Sequence, residues 1–304
     1  MSLVLQEEVA TTRGAGEALQ ERARGGLGYL RRNRNLAIGL GILLLLLIFV
    51  VAGHLFYDVS KYRPLSVPPN RPPSWEYPFG TDTQGRDLFA TMVAGTPLTL
   101  RIGLQAGFLG IAIGTILGFV SAYYGGIVDG VIKGVVDIGL TVPGLLVLII
   151  VAISFRGGMT VDQMALTVAA LSWVWPTRTI RSQVLTMRER SYVQVARLSG
   201  MSDLKIIFRE MMPNLLPYLA ASLVGAVSAA ILASIGLEAL GLGPLDSPTI
   251  GMTIYWVIFH SALLLGMWWW FLPPVVVIVL LFLGLFGLAA GLDEWANPRL
   301  RRAV

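Results

Sequence analysis

The sequence predicts an all-α membrane protein in which six helices cross the bilayer. Three observations lead there. Of the 304 residues, 55% are hydrophobic and only 13% are charged, whereas a water-soluble domain carries about 25% charged residues. Six stretches approach the roughly 20 apolar residues that cross a hydrocarbon core, at about 36–57, 98–123, 131–154, 162–180, 217–242 and 271–292. Basic residues gather in alternate connections, as expected of loops on the cytoplasmic side. Mean hydropathy is +0.71 and the formal charge +5, which reads as basic membrane-side loops rather than a nucleic-acid surface. There is no cysteine, so disulfides, zinc–thiolate sites and thiol chemistry are excluded and the redox compartment is undecided.

The first apolar stretch, "LAIGLGILLLLLIFVVAGHLF", follows a leader with Arg22, Arg24, Arg31, Arg32 and Arg34. No small-x-small cleavage site ends it, so a retained anchor is expected, with its start in the cytoplasm. Segment 178–210 carries seven basic residues against Glu189, Asp203 and Glu210, and the tail adds Arg299, Arg301 and Arg302. The loop 58–97 instead balances four basic residues with four acidic ones. Six crossings place every basic segment on one side. This divides the chain into a cytoplasmic segment 1–34, a first span with its external loop 35–97, a core 98–292 and a cytoplasmic tail 293–304.

Within the second stretch Gly103 and Gly107 lie four apart, and Gly110, Gly114 and Gly118 continue one step out of register. Such spacing opens a groove for a neighbouring helix backbone. Pro143 is expected to kink the third stretch, while Pro217 and the pair Pro273–Pro274 read as punctuation where the fifth and sixth begin.

The polar passage Tyr192–Asn214, "YVQVARLSGMSDLKIIFREMMPN", interrupts this pattern. Gly200 ends a first short helix, and Ser202 or Asp203 caps a second. The first offers Tyr192, Val195, Ala196 and Ser199 on one face; the second offers Leu204, Ile207, Phe208 and Met211. A short amphipathic hairpin of this kind lies on lipid headgroups or docks into another protein, and the pattern alone supports both.

This passage resembles the EAA loop, here 188–214, of bacterial ABC importer permeases, with Ala196, Arg197, Gly200, Ile206, Pro213 and Asn214 matching. "FGTDTQGRDLF" is similar to the signature of the C-type permease of dipeptide and oligopeptide importers, through Gly80, Thr81, Asp82, Gly85, Arg86 and Asp87. "DIGLTVPGLL", "GLEALGLG" and "NPRL" resemble further runs of that branch in order. Gln194, Val195 and Glu210 depart from the usual Glu, Ala and His, which puts in question any ion pair made at the loop's Glu. The resemblance implies a type I ABC importer permease fold with a coupling helix that enters a groove on an ATPase subunit. Tyr192, Gln194, Ala196, Arg197, Gly200 and Asp203 are the implied coupling residues. It also implies a second homologous permease, two cytoplasmic ATPase subunits holding ATP and magnesium, and an extracytoplasmic substrate-binding protein. Location would be the prokaryotic inner or plasma membrane, and the solute a di- or oligopeptide, with oligosaccharide and nickel carriers as relatives.

The chain itself lacks the means to hydrolyse nucleotide. Its three lysines, Lys61, Lys133 and Lys205, are followed by Tyr, Gly and Ile, so no phosphate-cradling Gly-Lys-Ser/Thr loop exists. His54 and His260 stand alone in sequence, giving no metal constellation, and no catalytic residue is expected. Ionisable groups near spans are functional candidates: Arg101, Lys133, Asp137 and Glu238. Lys133 and Asp137, at i and i+4, are expected to pair. Glu238 either faces a translocation path or reaches the interface. Trp268, Trp269 and Trp270 read as an interfacial belt. The competing classes are a stand-alone secondary transporter and a membrane scaffold.

Overall fold

A computed structural model describes residues 33–155 and 158–296. The leader residues 1–32 and the run "NPRL" lie outside the described residues. The helices are α1 (Arg34–Phe56), α2 (Leu88–Tyr124), α3 (Gly126–Thr141), α4 (Gly144–Ile153), α5 (Val161–Ser172) and α6 (Val174–Arg188). They are followed by α7 (Ser191–Leu198), α8 (Asp203–Ile206), α9 (Met212–Ala239), α10 (Ile250–Phe259) and α11 (Trp268–Ala296). Among the described residues no strand forms.

Among the described residues four helices are long and apolar enough to cross a membrane: α1, α2, α8 continued through α9, and α11. The α3–α4 pair makes a fifth if counted as one broken span, bent by 84°. The break falls at Val142–Pro143, where Pro143 has no amide hydrogen to continue the helix, as its position in the sequence predicts. The expected stretch 162–180 departs from expectation. It is divided at Trp173 into α5 and α6, and α6 is too polar to qualify alone. Four to five spans, not six, meet the criterion of length and composition.

The centre of the bundle is α2, and its glycines decide which helices touch it. A side chain at Gly103 would run into Ile231 of α9, and a Cβ on Gly107 would sit 2.7 Å from the Val227 amide nitrogen. The three-residue step to Gly110 rotates the stripe onto a different partner. Gly110 faces Ser172, Gly114 faces Pro176 and Gly118 faces Ile180, so the second half of the stripe holds α5 and α6. The spacing noted in the sequence is therefore two grooves, one per neighbour.

The prolines expected at helix starts behave otherwise. Pro217 lies inside α9, and Pro273 and Pro274 lie inside α11. Both helices begin earlier than the apolar runs, because polar or aromatic residues supply their first turns. Ahead of α9 the turn Ile207–Met211 is a π-helix. Pro213 supplies no amide hydrogen for the preceding turn, and the Asn214 side chain donates to the Glu210 carbonyl at 2.6 Å.

Candidate functional site

Two constructions stand out, one at each end of α2. At the Tyr124 end, α7 and α8 form the hairpin that the polar passage predicts. Its turn is a complete glycine C-cap. Met201 N–H donates to the Ala196 carbonyl at 3.1 Å and Gly200 N–H to Arg197 at 3.0 Å, with Gly200 at φ +76°. A Cβ there would meet nothing within 4 Å, so backbone conformation, not space, demands glycine. Gly200→Ala is expected to cost about 1 kcal/mol of hairpin stability, read as faster amide exchange over 191–206 with α9 unchanged. Ser202 occupies the N-cap position of α8 but makes no side-chain capping bond. Asp203 serves instead as an anchor: its Oδ1 accepts from the Tyr123 hydroxyl at 2.8 Å. Arg197 lies over the same Tyr123 ring, 5.8 Å from its centroid.

The hairpin's buried face differs from the one drawn from sequence. Val193, Ala196, Ile206, Ile207 and Met211 pack with Phe119, Ala122, Ile180 and Val184. Ala196 is thus seated inside the chain, where its small side chain permits close approach. Tyr192 stays at the rim, its phenol pushed up chiefly by desolvation, and Gln194 donates to the Arg188 carbonyl at 3.2 Å. Facing outward are Val195, Leu198, Leu204 and Phe208, all more than 60% exposed. The expected grouping of Val195 with Ala196, and of Phe208 with Ile207 and Met211, fails because each helix turns its two apolar sides in opposite directions.

The second arm is continuous with the bundle. Asp203–Ala239 runs as one 37-residue helix, about 55 Å long at 1.5 Å per residue. Leu204 and Phe208 lie at one end of this helix, which farther along packs against Gly103 and Gly107 of α2.

At the Leu88 end, residues 80–87 form a knot. Asp82 Oδ1 accepts from the Gln84 and Arg86 amides, both at 2.8 Å, and Oδ2 from Arg86 Nε at 2.6 Å. Gly80 and Gly85 take φ +74° and +70°, with Gly85 pressed against the Val67 carbonyl. Thr81 ties the loop's two sides together, donating to the Pro68 carbonyl at 2.7 Å and accepting from the Arg71 amide at 2.9 Å. Asp87 caps α2 through the Ala90 amide at 3.0 Å and accepts from the Tyr57 hydroxyl. Burial pushes the Asp87 carboxyl up, and these hydrogen bonds oppose it. The knot grips the following helices as well. Arg86 lies over Trp256, 5.2 Å from its ring centroid, and Trp269 donates to the Thr81 carbonyl at 3.3 Å. His260, isolated in sequence, lies 3.1 Å from the Gln84 amide nitrogen and stacks with Trp256 and Trp270. The expected tryptophan belt is accordingly reduced to Trp268 and the half-buried Trp269, since Trp270 is fully buried.

Two further expectations are corrected. Glu238 does not face open space: it is fully buried, with Oε2 accepting from Thr249 Oγ1 at 2.8 Å. Gly243 and Gly251 leave room for its carboxylate, which a Cβ on Gly251 would strike. Lys133 and Asp137 do not pair. Among the described residues the ion pairs are Arg86–Asp82, Arg101–Asp162, Arg181–Asp129 and Arg188–Glu189. Arg181 reaches across from α6 to hold both carboxylate oxygens of Asp129, each at 2.6 Å.

Residues 110–302 match the family described as binding-protein-dependent transport system inner membrane component. The chain belongs to that family. As such a membrane permease component it is not an enzyme. The permease is 32% identical to the dipeptide transport system permease protein DppC of Bacillus subtilis, over 90% of this chain and 84% of that protein. It is 28% identical to the oligopeptide transport system permease protein OppC of the same organism, over 70% of this chain and 69% of that protein. A putative peptide transport system permease protein of Brucella abortus is 33% identical over 70% of this chain and 71% of its own length. The hairpin lies within the family-matched region and the residue 80–87 knot outside it. Sequence reasoning missed Tyr123, which joins Asp203 and Arg197; its only signal was an aromatic pair at the end of an apolar run.

Proposed function

We propose that this permease is one half of the translocation pathway of an ATP-driven importer of di- or oligopeptides. The observation that carries the reading is the hairpin whose outward face is apolar and whose second arm is continuous with a bundle helix. A patch of four large apolar side chains needs a cover, and a rigid arm transmits what the cover does. The cover is a cytoplasmic ATPase subunit; ATP and magnesium reside there. A second homologous permease, a second ATPase and an extracytoplasmic substrate-binding protein complete the complex. The similarity to dipeptide and oligopeptide permeases supports the solute class.

In this reading Leu198, Leu204 and Phe208 contact the ATPase with Val195, Tyr192 and Gln194, while Ala196, Arg197, Gly200 and Asp203 hold the hairpin's shape. The signature Gly80–Asp87 fixes the external loop. Six crossings result when α3–α4 and α5–α6 each count as one, and the basic residues of segments 1–34, 178–210 and 293–304 support a cytoplasmic side for all three in a prokaryotic inner or plasma membrane. A conformational cycle follows when nucleotide-dependent ATPase positions contact the hairpin unequally.

Reconstituted with its partners, the permease is expected to take up a dipeptide only when ATP is hydrolysed, and to be indifferent to ionophores. Uptake that persists without ATP and collapses with an ionophore contradicts the reading and favours a secondary transporter.

A further inference from the structure

The charged groups that the hairpin and the knot leave unused lie along one wall. Helix α6 is polar, yet Pro176 and Ile180 pack it on α2 at Gly114 and Gly118, in the Tyr124-side half of a helix long and apolar enough to cross the membrane. Its exposed side carries Arg178, Ser182, Gln183 and Thr186. Beside it α3 exposes Lys133 and Asp137. Lipid tails do not solvate such groups, so wherever the bilayer reaches this wall it must be met by water or by protein.

Between α3 and α6 lies a pocket of about 360 Å³ lined by Ile132, Lys133, Val136, Asp137, Thr177, Arg178 and Arg181. That volume is within the range of small-molecule sites, about 300–1,000 Å³. Its charges are unequally committed. The Arg181 guanidinium is held in a two-point pair by Asp129, whose carboxylate also accepts from Ser121. Lys133 and Arg178 make no ion pair among the described residues. Lys133, Arg178 and Arg181 thus outnumber the one lining carboxylate, Asp137, and although Lys133 lies within electrostatic reach of Asp129, neither it nor Arg178 is held in an ion pair, the forked guanidinium being suited to a planar carboxylate.

We infer that this pocket is a subsite of the translocation path that receives the carboxylate of the transported peptide, on Arg178 and Lys133. The inference rests on the proposed function for its ligand class; the cationic, water-facing pocket does not. Transport through such a site requires that the carboxylate be held loosely enough to leave, which an exposed and hydrated pair of cations provides.

The test exploits the absence of cysteine. Ile132→Cys places one thiol in the pocket and leaves every charge in place. In vesicles of the assembled complex, the thiol is expected to react with an anionic methanethiosulfonate about 10-fold faster than with a cationic one. The preference is expected to vanish in Lys133→Gln/Arg178→Gln. Alanyl-alanine should slow labelling, and alanyl-alaninamide should not. An unreactive thiol, or equal rates for the two reagents, overturns the pocket as a water-facing anion site. A charge preference unaffected by either peptide, but abolished by cardiolipin, identifies a lipid headgroup and overturns the peptide assignment. Loss of ATP-driven dipeptide uptake in the parent complex, with the reagent preference intact, instead removes the proposed function and leaves the anion pocket standing.

Discussion

Replacing Leu204 and Phe208 together by glutamate is expected to abolish ATP-driven uptake while the permease remains folded in the membrane. Both side chains are more than 60% exposed, so the isolated chain loses almost nothing when they change; surface substitutions of this kind cost within about 0.5 kcal/mol. An interface is another matter. Removing apolar anchors and burying two unpaired carboxylates costs about 2–4 kcal/mol at a central contact, which is roughly 30- to 1,000-fold in association. The measurement is co-purification of the ATPase subunits beside the thermal stability of the permease. Retained ATPases and full uptake contradict the assignment of this face. Ala196→Trp forms the complementary case: the residue is seated against α2 and α6, so its enlargement is expected to lower hairpin stability before it alters any partner.

The second large effect concerns the α1–α11 seam. A Cβ on Gly39 would lie 2.6 Å from the Leu288 amide nitrogen and 2.7 Å from the Gly287 carbonyl carbon. Backbone cannot retreat as a side chain can, so Gly39→Leu is expected to separate the helices at a cost of about 3 kcal/mol or more. Two residues along the same helix, Gly41 would meet nothing within 4 Å, and Gly41→Leu is expected to be neutral. Steady-state level in the membrane and melting temperature in detergent read both. Equal behaviour of the pair contradicts this packing.

Much of the architecture was legible from residue types. The polar passage between apolar runs announced a hairpin, Gly200 its turn, Pro143 the break between α3 and α4, and the glycine stripe of α2 its close neighbours. What could not be read depends on three-dimensional partners. Val195 and Ala196 are adjacent and both apolar, and only the presence of Phe119 and Ile180 below decides which is buried. Pro217 and Pro273 looked like helix starts because apolar content begins there, yet polar and aromatic residues form the first turns. Glu238 has no sequence cue for Thr249, eleven residues away, or for the two glycines around it. Lys133 and Asp137 had the spacing to pair, but Asp137 lies within electrostatic reach of Arg181 and Lys133 of Asp129.

The central claim is that the outward face of the hairpin engages an ATP-hydrolysing subunit. Leu204→Cys supplies the only thiol in the permease and tests this directly in right-side-out and inverted vesicles of the whole complex. The expected result is a cross-link to the ATPase subunit, with impermeant reagents reaching the thiol only in inverted vesicles and only after that subunit is stripped away. Labelling from the external side, or no cross-link in an assembled and active complex, would contradict it.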